Sequence, residues 1–187
     1  MSKMIVDRDF LSLPLTGIQF GVYMSAMDLG TIYRERILLS DVGVYYNMMD
    51  RLPNPKQRKE VNDALEFLIN EGHIVADEVG RGLYLVDCQK SFNYDLSHLP
   101  HGGQMLIYSN IKKVMTSGSN WQGMLRYYLM VAGHMKRDGT CSYSRQYFAS
   151  KLKINEASVT KYNTILKNIG VLDIVRQKNE GNIYKLT

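Results

Sequence analysis

Ala157, Ser158, Thr160, Lys161 and Thr164 form a short stretch of small, hydroxylic and cationic side chains with no acidic residue among them. Such a set suits a polyanion that has readable edges. The lysine ammonium can donate to guanine O6 or N7, the threonines can serve a phosphate or a thymine methyl, and the two short residues permit close approach. Just upstream, Ser142, Ser144, Arg145 and Gln146 can hold a phosphate with help from the positive end of a helix. Downstream, Arg176, Lys178, Asn179 and Asn182 add further donors. None of these residues is specific alone, so the signal rests on elements that bring them to one surface.

Those elements can be read between Ser142 and Leu186. Tyr147, Phe148, Ala149 and Leu152 share one face of a first helix, and Ser144 is placed to cap it. The link Lys153-Ile154-Asn155 is short, carries one apolar plug, and ends on a second capping residue. Val159, Tyr162, Ile165, Leu166 and Ile169 then recur at three-to-four spacing, which predicts a second helix over about 156–169 and leaves the polar set on its outer face. Gly170 suits a left-handed helix end. Beyond it the apolar spacing drops to two, predicting a hairpin that turns over residues 177–181 and returns along 182–186.

Helix, plugged turn, helix, glycine stop and hairpin in this order resemble the winged helix-turn-helix superfamily over about 45 residues. A helix-hairpin core in an unrelated domain has the same outline. The resemblance implies that the second helix enters a major groove while the wing, about 176–185, reaches phosphate or minor groove.

Charge is divided unevenly along the 187 residues. Residues 1–90 hold 10 Lys+Arg against 13 Asp+Glu, a balance of −3, and residues 91–187 hold 13 against 5, a balance of +8. A basic half beside an acidic one points to a polyanionic partner for the C-terminal portion only. With 45% hydrophobic and 22% charged residues the composition is that of a soluble globular protein. No apolar run approaches the ~18 residues of a membrane span, and the N-terminus lacks the apolar core of a signal peptide, so a cytoplasmic protein with no membrane partner is expected.

The first half repeats the pattern. Ile18–Ile32 reads as a mostly buried helix, after a lead-in strand or arm over residues 1–15. Ser40 is placed to cap a helix that Pro53 closes, and Asn54-Pro55 starts another, with Val61, Leu65, Phe67, Leu68 and Ile69 in its core stripe and Gly72 as its stop. Ile74–Ala76 and Leu83–Val86 read as strands around Gly80-Arg81-Gly82. Shifting one half over the other by about 98 residues sets Phe67 on Ile165, Leu68 on Leu166, Gly72 on Gly170 and Ile74 on Leu172. The expected fold is therefore α+β, mainly α: two tandem winged-helix domains over 1–88 and 104–187, each of three helices plus a β-hairpin wing. A linker is expected at 89–103, a short strand at Met105–Tyr108, and the first helix of the second domain at Trp121–Met135.

In the first domain Lys56, Gln57, Arg58 and Lys59 crowd the start of the corresponding helix as a phosphate-facing cluster. Its wing carries Asp77, Glu78 and Asp87 against Arg81 alone, and carboxylates repel phosphate at contact distance. This domain therefore either binds DNA with its helix alone or offers a dimer or protein-partner surface.

Chemistry of other kinds finds little support. There is no Gly-rich loop ending in Gly-Lys-Ser/Thr. His98-Leu-Pro-His101 is a poor two-ligand metal site, and Cys88 and Cys141 have neither zinc spacing nor a disulfide framework. Cys141 and His134 lack an evident third group, and no carboxylate pair is spaced for acid-base work. No enzyme activity, metal or cofactor is expected. The reading is a sequence-specific double-stranded DNA-binding transcriptional regulator. The tandem winged helices, tyrosine-rich body and basic second domain also resemble plasmid and phage replication initiators and DnaD-like proteins, so an initiator binding origin repeats is the alternative. A protein-interaction module using the acidic first half is the third.

Overall fold

The computed structural model describes residues 8–33, 35–92, 101–118, 121–177 and 181–187. Its elements run α1 (Arg8–Ser12), α2 (Gly17–Tyr33), β1 (Arg36–Ser40), α3 (Asp41–Met49), α4 (Pro55–Asn70), β2 (Ala76–Gly80), β3 (Leu83–Asp87) and α5 (Cys88–Ser91). They continue with α6 (His101–Met115), α7 (Trp121–Gly133), β4 (Thr140–Tyr143), α8 (Arg145–Leu152), α9 (Glu156–Asn168), β5 (Leu172–Gln177) and β6 (Gly181–Leu186). The chain is α+β and mostly helical, with two three-stranded antiparallel sheets ordered β1-β3-β2 and β4-β6-β5. It divides into two compact units, one holding the described residues 15–92 and the other 8–14 together with 101–187. Among the described residues no helix is long and apolar enough to cross a membrane.

The first unit is built around α2, whose Phe20, Val22, Tyr23, Met24, Ala26 and Met27 are buried. Ser25 is buried with them because its hydroxyl donates to the Val44 carbonyl of α3 at 3.0 Å. Ser40 caps α3 by accepting from the Gly43 amide at 3.0 Å. At α4 a reciprocal cap forms: Asn54 Oδ1 accepts from the Gln57 amide at 2.9 Å while Gln57 Oε1 accepts from the Asn54 amide at 3.0 Å. Pro55 occupies the first helical position, where its missing N–H is harmless. Gly72 at φ +73 and Gly170 at φ +66 end α4 and α9, the left-handed turn that an L side chain resists. After each, amides return to the last buried leucine, His73 and Ile74 to Leu68, and Val171 to Leu166.

In the second unit α7 is the core. Trp121 and every residue from Met124 to Gly133 are buried, wider than the stripe Met124, Leu125, Tyr128, Leu129 and Ala132 that periodicity predicts. The extra coverage comes from α1, α6, α8 and α9, all of which pack on α7. Arg126 of α7 is 9% exposed, and its Nε donates to the Leu11 carbonyl at 2.6 Å while Nη2 donates to that of Leu13. Backbone dipoles at the end of α1 thus satisfy a buried cation, and burial lowers its pKa. Across the core the Tyr127 hydroxyl donates to Asn163 Oδ1 of α9 at 2.6 Å. Asn110 of α6 donates to the Thr187 carbonyl at 3.0 Å, holding the last strand's end.

Several expectations need correction. Residues 8–12 are helix rather than strand, and 8–14 belong to the second unit rather than to a domain over 1–88. Residues 105–108 lie inside α6, because Ile107, Ile111 and Val114 continue a helical stripe that four apolar residues in a row disguise. The expected 89–103 linker is trimmed at both ends: Ser91 is buried in the first unit, where Phe92 packs edge-on to Tyr23, and α6 starts at His101. The first unit's strand β2 begins at Ala76, after a buried Ile74 that serves the turn. Each hairpin also gains a third strand, β1, whose apolar run Ile37-Leu38-Leu39 shows no alternation in the sequence, or β4, which is only four residues long.

Candidate nucleic-acid interface

Two capped helices set the surface. Ser144 Oγ accepts from the Tyr147 amide at 3.0 Å and starts α8, and Asn155 Oδ1 accepts from the Ser158 amide at 2.7 Å and starts α9. Between them Lys153 takes the left-handed conformation, φ +53, so the turn closes in two residues with Ile154 half-buried beneath it. Val159, Asn163 and Leu166 point α9 into the core. Consequently Ala157, Thr160, Lys161 and Thr164 are exposed and Ser158 is half-buried.

Arg145, the first residue of α8, is half-buried, and its Nη1 donates to Thr160 Oγ1 at 3.0 Å. The Thr160 hydroxyl itself donates to the Glu156 carbonyl at 3.0 Å, and that of Thr164 to the Thr160 carbonyl at 3.1 Å. Lys161 lines a shallow recess with Ser117, Trp121, Met124 and Ile165. Ser144, Arg145, Thr160, Lys161 and Thr164 are thus carried by adjoining helices of one unit, and Arg145 touches α9 directly.

The hairpin is only partly described. Arg176 pairs with Asn182 across β5 and β6, but its side chain and the whole of Lys178 and Asn179 lie outside the described residues. The Asn182 side-chain amide donates to the Tyr184 hydroxyl at 3.2 Å. Lys167 is engaged with Asp173, Nζ to Oδ1 3.2 Å, and that contact with the Ile174 amide holds the Asp173 carboxyl below its ordinary range.

In the first unit the cationic cluster is largely paired. Arg58 Nε sits 2.9 Å from Asp41 Oδ2, and Lys56 Nζ lies 3.9 Å from Glu60; Lys59 is exposed. The positions that the 98-residue register sets against Thr160, Lys161 and Thr164 are Asn62, Asp63 and Glu66. Asn62 donates to Glu66 at 2.6 Å and accepts from the buried Tyr84 hydroxyl at 3.0 Å. Burial, with Glu66 and Glu78 nearby, pushes the Tyr84 hydroxyl up to about 12. This face is acidic where its counterpart is cationic.

Sequence reasoning missed one cluster beside α8. Tyr143, at the end of β4, stacks on Tyr147 with ring centroids 4.4 Å apart, and Lys151 Nζ lies 5.9 Å from the Tyr147 ring. His134 Nδ1 donates to the Met130 carbonyl at 2.8 Å, and its Nε2 is hydrogen-bonded to the Tyr147 hydroxyl at 2.9 Å. The signal was the i,i+4 spacing of the two tyrosines, hidden because Tyr143 is strand and Tyr147 helix. Cys141 is buried on the same strand, and burial pushes its thiol up to about 12, so it stays protonated at neutral pH. Among the described residues no group of three metal-ligating side chains occurs. Comparisons with protein-family models, with curated proteins and with solved structures return no significant match.

Proposed function

We propose that the chain binds double-stranded DNA through its second unit, and that each unit is a winged helix. Supporting the fold reading is the shared order within each unit: helix, short strand, two capped helices, then a hairpin whose second strand pairs with the short one. On this reading α9 lies in the major groove, the end of β4 and the start of α8 meet phosphate, and the β5–β6 hairpin is the wing. The observation that carries the function is the exposed face of α9, where Thr160, Lys161 and Thr164 stand beside Arg145 in the half of the chain with a balance of +8.

The experiment is a titration of the full chain against a duplex at low and moderate salt. Released counterions make affinity fall steeply with salt. Lys161→Ala and Arg145→Ala each weaken binding several-fold, since each removes a cation from the contact surface. Affinity that does not change with salt, or is untouched by either substitution, overturns the proposal. Transcriptional regulation and replication initiation both require a preference for particular sites in addition to these contacts, and selection of fragments from the host genome reads whether promoters, origin repeats or neither are enriched.

The first unit takes a different part in this proposal, as the surface for a protein partner or a second copy of the chain. The acidic Asn62, Asp63, Glu66 face and the exposed Leu38, Tyr46 and Leu52 favour that part over DNA contact.

A further inference from the structure

We infer that the α9 surface, granted the reading that it meets a duplex, binds with little regard for sequence, and that Thr160 serves there as a positioning residue for Arg145 rather than as a base reader. Direct readout rests on side chains that offer two hydrogen-bonding groups to one base edge, Arg or Lys to guanine and Asn or Gln to adenine. The helix EASVTKYNTILKN has no Arg and no Gln. Asn163 is 9% exposed and accepts the Tyr127 hydroxyl, and Asn168 is the last residue of the helix. The capping Asn155 is spent on the Ser158 amide.

The threonines are no better supplied. A hydroxyl has one proton, and those of Thr160 and Thr164 go to the carbonyls of Glu156 and Thr160. What Thr160 has left is acceptor capacity, and it receives Arg145 Nη1 at 3.0 Å. The guanidinium is thereby held at the edge of the α9 face with its remaining N–H groups available to a phosphate, which carries no sequence information. Lys161 remains as a point donor that serves phosphate and guanine alike, and Glu156 as one acceptor at the helix start. Together with the half-buried Ser158 hydroxyl, such groups distinguish few base pairs.

The test is competition of a panel of duplexes of differing sequence for the full chain, together with selection from a random-sequence duplex pool. Affinities within about thirtyfold of one another and no recovered motif are expected, against the ~10³-fold or greater preference of specific binders. A larger spread, or a motif, overturns the inference. Thr160→Val is expected to weaken every duplex alike, by no more than Arg145→Ala does, and to add nothing to it, while Thr160→Ser keeps the affinity. A Thr160→Val chain that reorders the panel, or binds normally while Arg145→Ala does not, overturns it as well. Failure to bind any duplex removes the underlying reading; tight binding with sharp preference removes this one alone.

Discussion

Arg58 Nε stands 2.9 Å from Asp41 Oδ2 and its Nη2 3.4 Å from Oδ1, so a cation in the first turn of α4 is held by the first residue of α3. In the second unit the first residue of α8 is Arg145, and the bond it makes to α9 runs to a hydroxyl. The same joint is closed by a carboxylate in one unit and a guanidinium in the other. That exchange leaves the first unit's joint electrically satisfied and the second unit's cationic. Asp41→Ala should destabilise the first unit by about 1–3 kcal/mol, since it strips the partner from a half-exposed arginine and exposes the start of α3. Denaturant unfolding of Asp41→Ala, Arg58→Ala and the double variant checks it; fully additive effects would show that the contact contributes nothing.

Arg126 should matter to the chain's beginning more than to its own helix. Arg126→Leu leaves the carbonyls of Leu11 and Leu13 without this donor and should cost roughly 2–4 kcal/mol. The first loss is of α1, so hydrogen exchange in residues 8–14 should rise before exchange in α9 does. Equal acceleration in both places would mean that Arg126 supports the whole unit rather than the α1 contact.

Gly123 is required by space. A Cβ there would clash with the Tyr162 hydroxyl oxygen and lie 3.3 Å from the ring carbon that carries it. Gly123→Ala should therefore destabilise by about 1–2 kcal/mol despite the better helix propensity of alanine. Adding Tyr162→Phe removes the clashing atom and should restore most of the loss. Thermal melts of the three chains decide it, and a Gly123→Ala chain as stable as the parent would rule out this close approach.

Tyr84 gives an alkaline limit to the first unit. An unfolded tyrosine ionises near 10, whereas burial, Glu66 and Glu78 push the folded hydroxyl up to about 12. The unfolded state therefore loses its proton first as pH rises. The stability linked to this group is complete below 10 and declines between about 10 and 12. Ring-carbon NMR of labelled tyrosine should find one resonance titrating near 12 that Tyr84→Phe removes and Glu66→Gln shifts downward. A Tyr84 resonance titrating with the exposed tyrosines would contradict the burial.

Local chemistry made much of this fold legible in the chain alone. Ser40, Asn54, Ser144 and Asn155 cap helices, and Gly72 and Gly170 end them, because capping and left-handed termination depend on residues within a few positions of each other. The buried stripe of α9 and the exposure of Thr160, Lys161 and Thr164 follow from a period of 3.6. The acidic and basic halves are plain from counting.

Tertiary structure decided what those residues are paired with. Whether Arg58 faces phosphate or Asp41, 17 positions away, cannot be read from composition. Nor can the commitment of Thr160 to Arg145 15 positions away, or that of Arg126 to carbonyls more than a hundred positions distant. β1 stayed hidden because its exposed Leu38 turns Ile37, Leu38 and Leu39 into an unbroken apolar run, and β4 because four residues carry too little alternation. Each exists because a hairpin strand, β3 or β6, offers it hydrogen bonds. Periodicity reports which face of an element is apolar, a property of neighbours in sequence. Pairing of polar groups is settled by which elements meet, and only the packed core determines that.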